Sequence, residues 1–226
     1  MKDLLERIGM TKEKQGATAL ALAMTVIVLA LVIIMGWVLS MPFFINPIPS
    51  LPAIKFNAAL CALLLGMALG MMANRVRTMN AERIDVGMPL IVMLVILLML
   101  PSMLAMMFNT QTGFEQFFLQ LLAEKGATTA AGRVPFAAAA TFVMTALFFF
   151  LMFLRPGTEK YAKPFGALLA IAGIAAIIGY AVNMPALHYQ LNETDYGMSI
   201  YTAIMFVMIG TGLALLQKPG PEFVAQ

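Results

Sequence analysis

Residues 16–39 read GATALALAMTVIVLALVIIMGWVL, a run without a single Asp, Glu, Lys, Arg or His. At about 1.5 Å of rise per helical residue, such a run exceeds the ~30 Å hydrocarbon core of a bilayer. Its apolar residues cover every face, so it reads as a membrane helix and not as the one-sided helix of a soluble core. The same signature recurs. Charge-free stretches extend over Gly16–Ile54, Phe56–Asn74, Val86–Phe114 and Val134–Leu154. Pro164–Asn192 carries only His188, and Gly197–Gln217 carries no ionisable group of this kind. The expected spans are about Ala17–Leu39, Ala53–Ala73, Val86–Phe108, Pro135–Leu154, Pro164–Val182 and Met198–Leu216. The fold class read from them is an all-α integral membrane protein. Its single transmembrane domain, 1–226, holds six helices as three hairpins of about 17–75, 86–155 and 164–217.

Composition agrees. The chain has 226 residues, of which 62% are hydrophobic and 11% charged, against about half and a quarter in soluble domains. A net charge of +3 is too small to suggest nucleic acid. Its distribution says more. Lys2, Arg7, Lys12 and Lys14, then Arg75, Arg77 and Arg83, then Arg155, Lys160 and Lys163, and finally Lys218 fall in alternate connections. Positive segments face the cytoplasm, so both termini are expected inside, in the inner (cytoplasmic) membrane of a cell. The first apolar run is too long for a cleavable signal, and no small-residue cleavage site follows it. Ion-coupled pumps keep costly charges at membrane depth, and these spans keep none. The lone Cys61 has no partner for an internal disulfide.

Between the spans, Met1–Gly9 reads as a short amphipathic helix on the inner surface. Pro42, Pro47, Pro49 and Pro52 argue against regular structure in the first outer loop. Pro101 is expected to kink the third span. In the second outer loop, Thr112 and Glu115 form a capping box. Phe114, Phe117, Phe118, Leu121 and Leu122 follow at helical spacing, predicting an outer amphipathic helix at about 113–125.

The even-numbered spans look like copies. Aligning Lys55-Phe56-Asn57-Ala58-Ala59 with Val134-Pro135-Phe136-Ala137-Ala138 and with Ser199-Ile200-Tyr201-Thr202-Ala203 brings small residues to ten of twelve positions spaced by four, Phe149 and Phe206 being the exceptions. Ala58, Ala62, Gly66 and Gly70 mark one face; Ala137, Thr141 and Thr145 mark the second; Thr202, Gly210 and Ala214 mark the third. Four-residue spacing keeps them on one side, where helix backbones approach closely. Three pseudo-repeated hairpins follow, with the even spans inside and the odd ones peripheral. Gly66-x-x-x-Gly70 could serve a homodimer or contacts within the chain.

Candidate chemistry is sparse. Histidine is the side chain whose charge changes nearest neutral pH, so His188, the only one, could sense external acidity or touch a ligand. It could equally be an interfacial residue without a role. Trp37, Tyr180, Tyr189, Tyr196 and Tyr201 map near the outer face, which fits an aromatic belt. The alternative is an aromatic-lined outer pocket for a small ligand, formed by Trp37, Asn57, Tyr180, Asn183, His188, Tyr189 and Tyr201. Glu193 and Asp195 are a close acidic pair without a full cation ligand set. The many methionines read as adaptable packing. Neither a nucleotide loop nor a nucleophile with its base is visible. The expectation is a protein that is not an enzyme, with no catalytic residue, metal or cofactor.

Two segments carry a resemblance. Ile48–Leu69, IPSLPAIKFNAALCALLLGMAL, resembles the proline-loop-then-helix segment of multi-pass N-terminal sensor regions. Such regions precede bacterial and archaeal histidine kinases and diguanylate cyclases. Ile178–Tyr189, IGYAVNMPALHY, leading to Tyr201-Thr202-Ala203, is similar to the last hairpin of the same kind of region. The middle pair of spans does not share the likeness. The resemblance implies a non-catalytic sensory or signal-input module. A stimulus at the outer loops or within the bilayer would shift the spans, and the sixth span would pass the shift to a cytoplasmic partner or output domain after Lys218. Only Lys218–Gln226 follow that span here. The alternatives are a structural or assembly subunit of a larger membrane complex and, third, a facilitator or channel for a neutral solute. The lipid bilayer is a partner in every case.

Overall fold

The computed structural model describes residues 12–48, 51–78, 86–108, 134–155, 157–190 and 197–216. Every regular element among them is helical. The long helices are α1 (Lys12–Val38), α2 (Phe56–Thr78), α3 (Gly87–Met107), α4 (Phe136–Leu154), α5 (Ala162–Ala181) and α6 (Ile200–Leu215). Five of them, α1 to α5, are long and apolar enough to cross a membrane. The sixth, α6, has 16 residues, or about 24 Å against a ~30 Å hydrocarbon core. Met1–Gly9, the helix expected at 113–125, and Glu193 with Asp195 lie outside the described residues.

The exposed side chains of these helices suit a lipid phase. Leu168 and Ile171 of α5, Met93 of α3 and Val28 of α1 are each more than half exposed. Water would penalise such surfaces, whereas hydrocarbon does not. Polar side chains on the helices satisfy themselves locally. The hydroxyls of Thr18, Thr25, Thr141 and Thr145 each donate to the carbonyl four residues earlier, at 2.7–2.9 Å. That removes donors that lipid could not satisfy.

The most extensive helix contacts join α5 to α6, α1 to α2 and α3 to α4, each helix to its neighbour in sequence. The α1–α2 pair sits in the middle. The α5–α6 pair meets it through α6, which touches α1 and α2, and the α3–α4 pair meets it through α2. Burial separates even from odd helices: of the most apolar 18 residues, 61% in α2 and 44% in α4 are inside, against 33% in α1, 39% in α3 and 28% in α5. At the centre Phe142 of α4 and Phe206 of α6 meet with ring centroids 4.7 Å apart, both fully buried.

Small residues decide where backbones touch. A methyl group on Gly210 would fall 2.5 Å from the carbonyl oxygen of Gly166 and 2.6 Å from the nitrogen of Ala170. One on Gly173 would fall 2.5 Å from the Ala203 carbonyl oxygen. The α5–α6 contact is therefore backbone against backbone. Gly66 and Gly70 both face Ala23 of α1, with Gly66 closest to Val26 and Ile27. This glycine pair is thus occupied within the chain. Gly212 faces Leu69 of α2.

The helix starts set the register of the even spans. Ala59 donates to Lys55, Ala139 to Pro135 and Ala203 to Ser199, all at 2.9–3.0 Å. Lys55 therefore corresponds to Pro135, one residue beyond the Val134 of the sequence alignment. In this register Ala138, Phe142 and Ala146 occupy the places of Ala58, Ala62 and Gly66, and all six are buried. Thr145 is buried and Thr141 half-buried, on the adjoining strip. Helix α3 runs unbroken through Pro101.

The first loop corrects the expectation drawn from its prolines. Pro42–Ile45 forms one helical turn with Pro42 in its first position, where the missing N–H would be unpaired anyway and the fixed φ suits a helix. The turn belongs to a corner that the chain builds twice. Residues 36–42 read GWVLSMP and residues 179–185 read GYAVNMP. In each, the helix ends at a residue with positive φ, 55° at Ser40 and 54° at Asn183. Met41 donates to Gly36 and Met184 to Gly179, both at 2.8 Å. A proline then opens a short helical turn, Pro42–Ile45 or Pro185–His188. Both glycines are required by contact, since an added methyl would meet the Cβ of Phe44 at 2.6 Å or of Leu187 at 2.7 Å.

Candidate functional site

Each corner is tied to the start of the next helix by the aromatic residue after its glycine. Trp37 Nε1 donates to the Ile54 carbonyl at 3.1 Å. Tyr180 Oη donates to the Met198 carbonyl at 2.5 Å. Ile54 and Met198 are both buried and both lie two residues before a helix. The same link thus closes the first and third helix pairs, by an indole in one and a phenol in the other.

The corners differ at one chemically important place. Ile45 ends the first short turn and His188 ends the second. The His188 side chain is only 7% exposed. Its ring stacks on Tyr180, with centroids 4.3 Å apart and planes at 6°. Nε2 lies 3.2 Å from Gln190 Oε1, an oxygen that only accepts, so this nitrogen carries the hydrogen. Nδ1 is buried without a partner. The His188 carbonyl accepts from Met198 N at 2.8 Å. Gly197 lies against the imidazole, leaving no room for a side chain there. Tyr180, His188 and Met198 therefore form one closed set of contacts joining the end of α5 to the start of α6.

The other residues expected at an outer pocket are distributed around the two corners. Tyr189 has a left-handed backbone, φ 64°, and its hydroxyl donates to Ala172 at 3.2 Å. Burial raises the pKa of that phenol. Asn183 is exposed at the turn. Asn57 and Tyr201 occupy equivalent places in the first turns of α2 and α6, with Asn57 Oδ1 and Tyr201 Oη buried and unpartnered. The structure brings Tyr180 and His188 together and places Trp37 at the other corner. An apolar groove runs elsewhere, along α1, lined by Val28, Leu31, Val32, Met35, Leu39 and Phe44. Among the described residues no three His, Cys, Asp or Glu side chains come together to hold a metal ion.

The even spans alone do not reveal the corners. The signal lies at the ends of the odd spans, in the match of GWVLSMP to GYAVNMP. Gly166 and Gly173, the α5 partners of α6, also escape a reading confined to the even helices.

Lys55, just before α2, is the basic residue at this end of the described bundle. Burial pushes its ammonium down from the ordinary 10.5 to about 8. At the equivalent place before α6, Ser199 caps the helix, its Oγ accepting from Thr202 N at 3.2 Å.

The class these features define is a helical bundle of membrane-spanning character, clamped at two like corners. No protein-family model, curated protein or solved structure matches the chain.

Proposed function

We propose that the chain is a six-span membrane module of three like hairpins, with both termini on the basic, cytoplasmic side, and that it works as a non-catalytic signal-input unit. Lys14, Arg75, Arg155, Lys160 and Lys163 lie at the helix ends opposite the two corners, which supports this orientation. The equivalent caps at Lys55, Pro135 and Ser199 and the two matching corners support a repeated hairpin. A tilted or locally thinned bilayer accommodates a short sixth span.

One observation carries the signalling reading. The first and third hairpins are each locked by a ring-to-carbonyl bond and by close small-residue contact, whereas contact between hairpins is less extensive. Motion is then cheapest at the joints between hairpins, as in shear between packed helices. A stimulus at the corners would be passed by α6, which touches α1, α2 and α5. To test this, the chain replaces the membrane input of a receptor histidine kinase, and a disulfide joins α2 to α6 at Leu69 and Gly212. Kinase output that differs between the oxidised and reduced forms supports the reading. Identical output, or failure of the chain to support any output, counts against it.

The α1 groove favours a second reading, a subunit of a larger membrane complex, because a partner helix could lie along it. Co-purification of a stoichiometric partner from native membranes, lost on Val32→Trp, would place that reading first.

A further inference from the structure

The two corners serve as controls for one another. The glycine-to-proline turn, its glycine contacts and the aromatic links agree, and an isoleucine ends the first short turn where a buried histidine ends the second; beyond that point the paths part, with Asn46 at φ −146° and Tyr189 at φ 64°. The glycine-to-proline turn therefore does not require an imidazole. We propose that His188 is a proton-binding site whose protonation opens the third corner and frees the start of α6 from the end of α5.

The chemistry follows from the two ring nitrogens. In the closed corner Nε2–H is used by Gln190, and Nδ1 is a bare lone pair in a buried place. Among the described residues, a proton taken up there adds an N–H with no acceptor and a charge with no counter-ion, both costly away from water. From α5 the group facing the ring is Tyr180, whose hydroxyl is already donated to Met198. The Gly197–Ser199 segment offers no titratable side chain. On the same short segment Tyr189 donates its hydroxyl to Ala172. Helix α6 presents Tyr201 in its first turn and carries no charged residue. Among the described residues of these elements no carboxylate faces the imidazole; Glu193 and Asp195 lie outside them. Water admitted by the open corner can solvate the imidazolium and satisfy its second N–H, which the closed corner leaves unpaired, so acidification favours opening. The Met198-to-His188 and Tyr180-to-Met198 bonds are lost together. This deepens the signal-input reading by naming a stimulus. It rests on that reading only for the use made of the opening.

Hydrogen exchange read by mass spectrometry, on the full chain in nanodiscs, tests the opening itself. Peptides covering 184–199 and 41–55 report the two corners, with rates corrected for intrinsic exchange. From about pH 7.5 to about pH 5.5, protection of the 184–199 peptide is expected to fall by up to about tenfold, the limit set by uptake of one proton on an imidazole with the ordinary value near 6.5 in the open corner. The 41–55 peptide should change less than about twofold. His188→Ile, which copies the first corner, should remove the pH dependence, and His188→Gln should do the same if the isoleucine variant does not fold. Unchanged protection in the natural protein overturns the proposal, as does an equal loss at both corners. A loss that survives in the His188 variants also overturns it, and it would assign the effect to Glu193 or Asp195 if Glu193→Gln or Asp195→Asn removes it.

Discussion

Replacing Lys55 by serine should stabilise the protein. Lys55 stands before α2 where Ser199 stands before α6, and the following turns are bonded alike. Serine there would accept from the Ala58 amide as Ser199 accepts from Thr202, a cap worth about 1 kcal/mol. A cation beside the positive end of a helix is also unfavourable, by roughly 0.3–1 kcal/mol. Burial lowers the lysine from 10.5 to about 8, which at about 1.36 kcal/mol per factor of ten bounds the cost of keeping it charged near 3 kcal/mol. Loss of the interactions made by the lysine, those of its stem and of its head group, offsets part of this. The net expectation is a gain of about 1–3 kcal/mol at pH 7. The sign with pH is fixed. The lysine binds its proton less well folded than unfolded, so its penalty is full below about 8 and fades as pH rises toward 10.5. Reversible SDS unfolding in mixed micelles, at several pH values from 7 to 9.5, reads both effects. The advantage of Lys55→Ser should shrink above about pH 8. A destabilised variant at pH 7, or a gap that grows with pH, would refute the reasoning.

Other outcomes follow from the contacts. Gly210→Ala should cost at least about 2 kcal/mol in the same assay, because its methyl meets the α5 backbone, which cannot yield. Gly70→Ala should stay within about 0.5 kcal/mol, since its methyl would lie 3.6 Å from Ala23 Cβ, an ordinary contact. Cross-linking should show that Gly70→Ala leaves any self-association unchanged. Tyr180→Phe and Trp37→Phe should each cost about 1–2 kcal/mol by stranding a buried carbonyl, at Met198 and Ile54 respectively. Unequal losses would show that the two corners are not energetically alike. Phe142→Ala should cost about 1–3 kcal/mol in packing against Phe206, less than in a soluble core because the unfolded reference also lies in lipid.

The apolar runs located the helices, and their ends moved by only a few residues at most corners. The exceptions are instructive. Proline was read as a breaker in the first loop, yet Pro42 starts a turn, because a proline at the first helical position loses no bond that the helix would make. The α4 register slipped by one residue because in the sequence both Val134 and Pro135 fit beside Lys55; only the backbone bond from Ala139 to Pro135 decides between them. His188 read as a pH sensor, a ligand contact or an interfacial residue without a role, just past the fifth span. Its burial depends on Gly197 and Tyr180 closing around it from two segments, and nothing local in residues 184–190 encodes that.

The sequence by itself determined that this chain forms helices long and apolar enough to cross a membrane, since in lipid such charge-free runs must pair their backbone groups internally. It also carried, in GWVLSMP and GYAVNMP, the instruction for two like corners. Only the tertiary structure decided which small residues touch which backbone, why the Gly66–Gly70 pair is taken up by α1, and that one corner hides an imidazole with a free nitrogen. The reason is physical: in a bilayer hydrophobicity drives insertion but does not choose partners, so the choice among apolar faces rests on shape and on a few hydrogen bonds between segments far apart in the chain.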